Sequence, residues 1–473
     1  MDGGMWLAVL DFAYVALFFI LATILKSRIA FFRKFIIPTS IIAGFIGLIV
    51  GPNLLGWISF DIDRLGNMVY HLMAIGFIAL SLKERERKKN KDIVSSGIMI
   101  ASVYLIQGIV GFVLSLLLVY TVYPDLFPPV GLLLPLGFGQ GPGQAYSIGI
   151  QWEELGLSGG GNLGLTVATF GFLWATIIGV PILNYLVRKG KASVDTEQAI
   201  GEQMMVREEM SPDEQPLSDA HDKLSFQIAL IAVVYLLTYL SIHTVTKELE
   251  ALGTFGQTFA QLLWGFHFLI GSLYAIGFRV LFEKLKKKGF AFYNVPNNYL
   301  LQRIAGSSFD FMITASIAAI SFYALKNYLV PVLLITTIGG IVTVFHIYYL
   351  SKWIYKKNPI ENFLGFYGMG TGTISTGMAL VRAVDPKFQT NVSENLVMGS
   401  AVAVVFGMPL MVMLNIPIFG YVENQPIMYL YTLLIFLAYL GLLFLFLFFH
   451  VRKQDDAKQE NRKVISHSST EKM

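Results

Sequence analysis

The sequence predicts an all-α polytopic membrane protein: two inverted-topology five-helix repeats, each with a re-entrant hairpin, plus one extra C-terminal helix. Three observations lead there. Of 473 residues, 55% are hydrophobic and only 14% charged, and mean hydropathy is +0.62. Lys and Arg gather in alternate loops. Two glycine-rich stretches recur at a nearly fixed offset.

A helix needs about 20 apolar residues to cross the ~30 Å hydrocarbon layer. Apolar runs predict eleven spans near 6–25, 36–58, 68–82, 93–122, 164–187, 224–243, 255–282, 300–324, 328–350, 393–416 and 427–449. With the N-terminus outside, inward-facing loops and the cytoplasmic tail hold 29 of the 35 Lys and Arg, and outward-facing loops hold 3. That asymmetry fixes orientation. MDGGMW carries no basic residue and the first basic cluster follows the first span, so no cleavable signal peptide is expected. The net charge of +4 belongs to these loops and does not imply nucleic acid.

The polar segment 188–223 reads as a flexible cytoplasmic linker. It separates an N-terminal repeat, 1–187, from a C-terminal repeat, 224–416; residues 417–449 hold the extra helix and 450–473 a disordered cytoplasmic tail. The absence of cysteine excludes disulfide frameworks, Cys–zinc sites, haem thiolates and iron–sulfur clusters.

In LGFGQGPGQAYSIG, 136–149, Gly139, Gly141 and Gly143 match Gly368, Gly370 and Gly372 of GFYGMGTGTISTGM at an offset of 229. GVP at 179–181 matches GMP at 407–409 at an offset of 228. Five spans is an odd number, so the halves lie in opposite orientation, a transporter signature. Neither glycine stretch has room to span. Gly143 is ten residues from Glu153, and ten helical residues cover ~15 Å. Each segment, about 128–160 and about 360–390, is therefore expected to enter and return on one face, the first from outside and the second from the cytoplasm. The second is expected to turn at 368–372.

Bare backbone at membrane depth must be buried in protein or face water. Short helices starting at such tips offer N–H groups to a carboxylate, and broken carbonyls can replace water around Na⁺. Candidate substrate residues are Gly139, Gln140, Gly141, Gly143, Gln144, Ser147, Gly370, Thr371, Gly372, Thr373, Ser375 and Thr376, with Arg382 as a possible carboxylate partner. Candidate Na⁺ residues are Gly141, Gly370, Asp310, Asn162 and Asn395. Each has a blander reading. Both tips contain GxxxG, which packs helices. Arg382 mirrors Glu153 as a charge at a hairpin mouth. Asn162 and Asn395 suit caps. Asp310 could pair with Arg303 or His71, and His71 itself reads as a hydrogen-bonded packing residue.

At GQGPGQAY, the following ATFG at 168–171, GVP and GMGTGT, with IPTSIIAGFIGLIVG at 37–51, the chain resembles the bacterial sodium–glutamate symporter family. The resemblance covers roughly 14–416. It implies Na⁺-coupled glutamate uptake across the bacterial inner membrane, a homodimer and elevator-like movement, with no cofactor beyond the coupling ion. The eleventh span and the tail depart from the family. The alternatives are another small carboxylate, H⁺ coupling, or a channel built from two pore loops. An enzyme is not expected, because GxSxG and HExxH are both missing.

Overall fold

A computed structural model of the chain describes residues 3–29, 38–84, 92–189, 217–288, 296–321, 328–385 and 390–470, which are helical with no strand among them. Most of the expected linker lies outside the described residues. So do 36–37 and 322–324, the ends of two expected spans.

The first half contains α1 (Gly3–Arg28), α2 (Thr39–Val50), α3 (Ile62–Leu82) and α4 (Asp92–Thr121). A hairpin follows, formed by a 3₁₀ turn (Pro128–Leu132), a π turn (Pro135–Gln140) and α5 (Pro142–Glu153). The half closes with α6 (Gly160–Leu173), a π turn (Trp174–Ile178) and α7 (Gly179–Arg188). The second half contains α8 (Leu217–Glu250), α9 (Thr254–Gly265), α10 (His267–Lys287), α11 (Asn298–Ala318) and α12 (Leu329–Ile354). Its hairpin is α13 (Pro359–Thr371) with α14 (Ile374–Arg382), followed by α15 (Val392–Met413), α16 (Ile416–Val422) and α17 (Ile427–Thr470).

Among the described residues, eight helices are long and apolar enough to cross a membrane, or up to nine with the bent pair Phe259–Gly265 and His267–Lys287. Two expected spans fall outside that set. The segment 36–58 yields only the 12-residue α2, which stops before Gly51 and Pro52. Helix α11 has the length, but Gln302, Arg303 and Asp310 dilute its apolarity. A third, 255–282, is bent by 65°. The chain breaks at Gly265 and Phe266, and side chains serve the released carbonyls. Tyr70 Oη donates to Trp264 O (2.8 Å) and Ser147 Oγ to Gly265 O (2.9 Å). The tail also differs from expectation: α17 runs on through Thr470, so the predicted coil is helical up to that residue.

Packing between the halves is reciprocal. Helices α3 and α11 cross, with Gly76 against the Phe309 ring. On one side α2 packs on α11, where Gly44 abuts Ile317; on the other α10 packs on α3, where Gly271 abuts Ile78. Glycine at each contact lets the backbones approach closely. Side-chain caps fix the starts of the crossing pair. Asp61 accepts from Arg64 N and Asn297 from Leu300 N.

Candidate functional site

Each glycine stretch breaks a helix. In the first, Pro142 has no N–H for the carbonyl four residues back, so the preceding ladder loosens into the π turn 135–140 and ends at Gly141. Gly141 adopts φ 99°, ψ 175°, a conformation that glycine alone adopts readily. In the second, Thr371 has an N–H, and α13 continues through it to a break at Gly372. The expected turn at 368–372 is thereby corrected: Gly368 and Gly370 are helical, and only Gly372 is broken.

Both segments fold back on themselves. At the base of the first, Phe127 lies 6.2 Å from Trp152 and 4.8 Å from Tyr421, ring centre to ring centre. The arms of the second pack through Gly365, beside Val381, and Gly368, beside Gly377. Its base meets the start of α15, where Asn395 Nδ2 donates to Asn362 Oδ1 (3.0 Å). The first base thus sits at the Tyr421 end of the 31-residue run Val392–Val422, and the second at its beginning.

The tips meet. A Cβ on Gly141 would lie 3.8 Å from Thr373 Cγ2 and 4.0 Å from Gly372 O. The run α6–α7 passes both hairpins in order. Gly160 abuts Gly149 near the first base, Ala168 abuts Gly137, Gly171 abuts the Thr371 carbonyl, and Gly179 abuts Tyr367. The junction of the tips therefore lies near the middle of the 27-residue stretch Gly160–Leu186.

The two helix starts at this junction differ. Thr373 caps α14, accepting from Thr376 N (3.4 Å), and its hydroxyl lies 3.3 Å from that of Thr376. No side chain caps α5. Pro142 brings no N–H, and those of Gly143 and Gln144 have no acceptor within the helix. The end of α5 thus presents donors and partial positive charge toward the second tip.

Around the junction several buried amide oxygens have no partner: Gln107 Oε1, Gln140 Oε1 and Gln144 Oε1; Asn162 Oδ1, at the start of α6 by the first base, is also unpaired. Gln140 Nε2 is also unpaired. Such atoms are exceptional in a folded interior. The tips abut, and Met73 and Met312 press on Gly143. A void of about 10 Å³, lined by Val103, Tyr104, Gly139, Phe366, Met369 and Gly370 among others, has the size of one water molecule.

The predicted residues divide into two groups. Gly139, Gln140, Gly141, Gly143, Gln144, Gly370, Thr371, Gly372, Thr373 and Thr376 gather at the tips. Ser375 begins α14, but its side chain lies outside the described set. Ser147 is tied to the α9–α10 bend through Gly265 O. Asn162 and Asn395 are not the N-caps, which are Gly159 and Asn391. The amide of Asn395 is held by Asn362, ten residues before Gly372, or ~15 Å along the helix. Arg382 is exposed at the end of α14 and interacts electrostatically with Lys26. The Asp310 carboxylate faces Ser40 and Lys26, while His71 Nδ1 pairs with Tyr235 Oη (2.8 Å) and Arg303 lies over Tyr299.

Sequence reasoning missed Gln107. It is fully buried on α4, and its Nε2 donates to Gly370 O (2.8 Å) and Thr343 Oγ1 (3.1 Å). The available signal was one amide in the apolar run VYLIQGIVGFVL, 103–114. His267 was also missed. It lies buried at the bend, stacked 3.6 Å from Tyr70.

Comparison with known proteins bears on these hairpins as a set. The family model described as sodium/glutamate symporter matches residues 7–390. The sodium/glutamate symporter of Escherichia coli is 24% identical over 376 residues, covering 77% of this chain and 85% of that protein. The Shigella flexneri protein of the same description gives the same values. That of Haemophilus influenzae is 27% identical over 194 residues, 39% of this chain and 46% of that protein.

Proposed function

This chain belongs to the sodium/glutamate symporter family, and from that premise we propose that it carries glutamate or a closely related acidic amino acid into the cell together with Na⁺. It is a multi-pass protein of the bacterial inner membrane and a transporter, not an enzyme.

The observation that carries the reading is the meeting of two helix breaks midway along Gly160–Leu186. The uncapped start of α5 suits a carboxylate, and the hydroxyls of Thr373 and Thr376 stand across from it. The unpaired amide oxygens suit a cation or an ammonium group. Substrate entry requires the tips to part. Ser147 and Asp310 act around this seat and Arg382 at its mouth, while Asn162 and Asn395 stand toward the hairpin bases.

We read the chain as eleven spans in two inverted halves, N-terminus outside and C-terminus in the cytoplasm, with the hairpins re-entrant from opposite faces. Reciprocal packing of α2 and α10 on α11 and α3 supports the inversion. The hairpin bases at opposite ends of Val392–Val422 support the opposed entry. An elevator-like movement in a homodimer is the working form that goes with this reading.

The test is uptake into proteoliposomes of labelled amino acids and carboxylates under an imposed Na⁺ or H⁺ gradient. Glutamate accumulating above the outside level under Na⁺ alone is expected. Accumulation of another carboxylate, or under H⁺ alone, would replace the substrate or the ion. Equilibration without accumulation would leave a channel.

A further inference from the structure

Gln107 touches both hairpins. Its amide nitrogen donates to Gly370 O in the second, and the place of a Cβ on Gly139 in the first lies 2.8 Å from its Oε1. The orientation is settled by chemistry. A main-chain carbonyl only accepts, so nitrogen faces Gly370 and oxygen faces the first tip. That oxygen is buried and has no partner. An unpaired buried acceptor is destabilising in a folded interior.

Two amides of the first tip share the deficit. Gln140 and Gln144 on the same tip also leave Oε1 unpaired. Pro142 withholds the N–H that would have served the end of the π turn. The unpaired atoms of Gln107, Gln140 and Gln144 are mostly oxygen acceptors, the ligand type that hard cations take.

We propose that Gln107 Oε1 is a ligand of the coupling cation, seated between α4 and the first hairpin tip. The same side chain passes occupancy to the second hairpin through Gly370. This rests on the Na⁺-coupled reading above and deepens it. Cation binding orients one end of the amide, and the other end then fixes the carbonyl beside the Gly372 break.

The experiment uses purified full-length protein and follows thermal stability against NaCl, with choline chloride holding ionic strength and no substrate present. The wild type is expected to shift upward with Na⁺. Gln107→Leu should need at least about tenfold more Na⁺ for half the shift, the loss of roughly one ligand contact. Gln107→Glu keeps an oxygen but loses the donor to Gly370, and should stay within about threefold of wild type. An unchanged Na⁺ requirement in Gln107→Leu overturns the proposal. So does a tenfold loss in Gln107→Glu, which would leave Gln107 as a tie to Gly370 alone; Gln107→Ala, which also lacks Oε1, takes the place of Gln107→Leu if that protein does not fold, with the same expected and overturning results. In a second titration with glutamate added, a Gln107→Leu protein with normal Na⁺ response but a weakened shift by glutamate would assign the oxygen to the substrate ammonium and also overturn it. Na⁺-driven uptake by the wild type is measured in parallel. Its absence would count against the function, whereas its presence with an indifferent Gln107→Leu would count against this site only.

Discussion

The two hairpins began in the sequence as near copies, GQGPGQ and GMGTGT, yet they are built differently. At the shared offset Pro142 stands opposite Thr371. The proline loosens the first arm into a π turn and ends it before Gly141. The threonine continues the second arm as α-helix, with its hydroxyl donating to Tyr367 O (2.8 Å). The break therefore falls at Gly141 in one and Gly372 in the other, an offset of 231 instead of 229. The first tip leaves a helix start open, while the second closes its own with Thr373. Matching glycines do not mean matching backbone: one imino acid decides which glycine turns the chain.

The largest effect should separate the glycines that the alignment pairs. A Gly141→Ala methyl would make only ordinary contact with Thr373 Cγ2 and Gly372 O, but it forces φ 99° on an alanine. Strain of ~1–3 kcal/mol predicts a loss of about 10- to 100-fold in uptake at normal membrane abundance. Gly370→Ala sets a Cβ 3.0 Å from Ile347 Cδ1 and 3.3 Å from Val103 Cγ1, both ends of side chains. Its uptake should fall by less than about fivefold. Equal losses in labelled-glutamate uptake would erase the distinction drawn between the tips.

A middle-sized effect tests the cap. Thr373→Val removes the acceptor for Thr376 N, worth ~1 kcal/mol, so the half-saturating substrate concentration should rise about fivefold. Thr373→Ser should restore it. If the serine variant behaves like the valine, the hydroxyl is not what matters at the second tip. The smallest effect belongs to the mouth. Arg382→Gln removes an exposed charge and should change uptake by less than about threefold. A loss as large as that of Gly141→Ala would move Arg382 into the seat itself.

Much of this was legible because glycine and proline act locally. The two glycine-rich breaks and the late proline of each half could be read from a few neighbouring residues. What escaped depended on partners far along the chain. The fate of Ser147 hinges on Gly265, 118 residues away, and that of Gln107 on Gly370, 263 residues away. Asn395 looked like a cap from its neighbours, but pairs with Asn362 across two elements. The 65° bend was hidden because Trp264–Gly265–Phe266 contains no proline, and the side chains that steady it come mainly from α3 and α5.

The run α6–α7 touches the first hairpin near its base and arm, and the second at its tip and body, with Gly160, Ala168, Gly171 and Gly179 each giving a close backbone approach. Contacts that close leave little slack for either hairpin to slide alone. The pair would behave as one carriage on a shared rail, and anything gripped between the tips would ride as a passenger, facing a new side only when the whole carriage shifts.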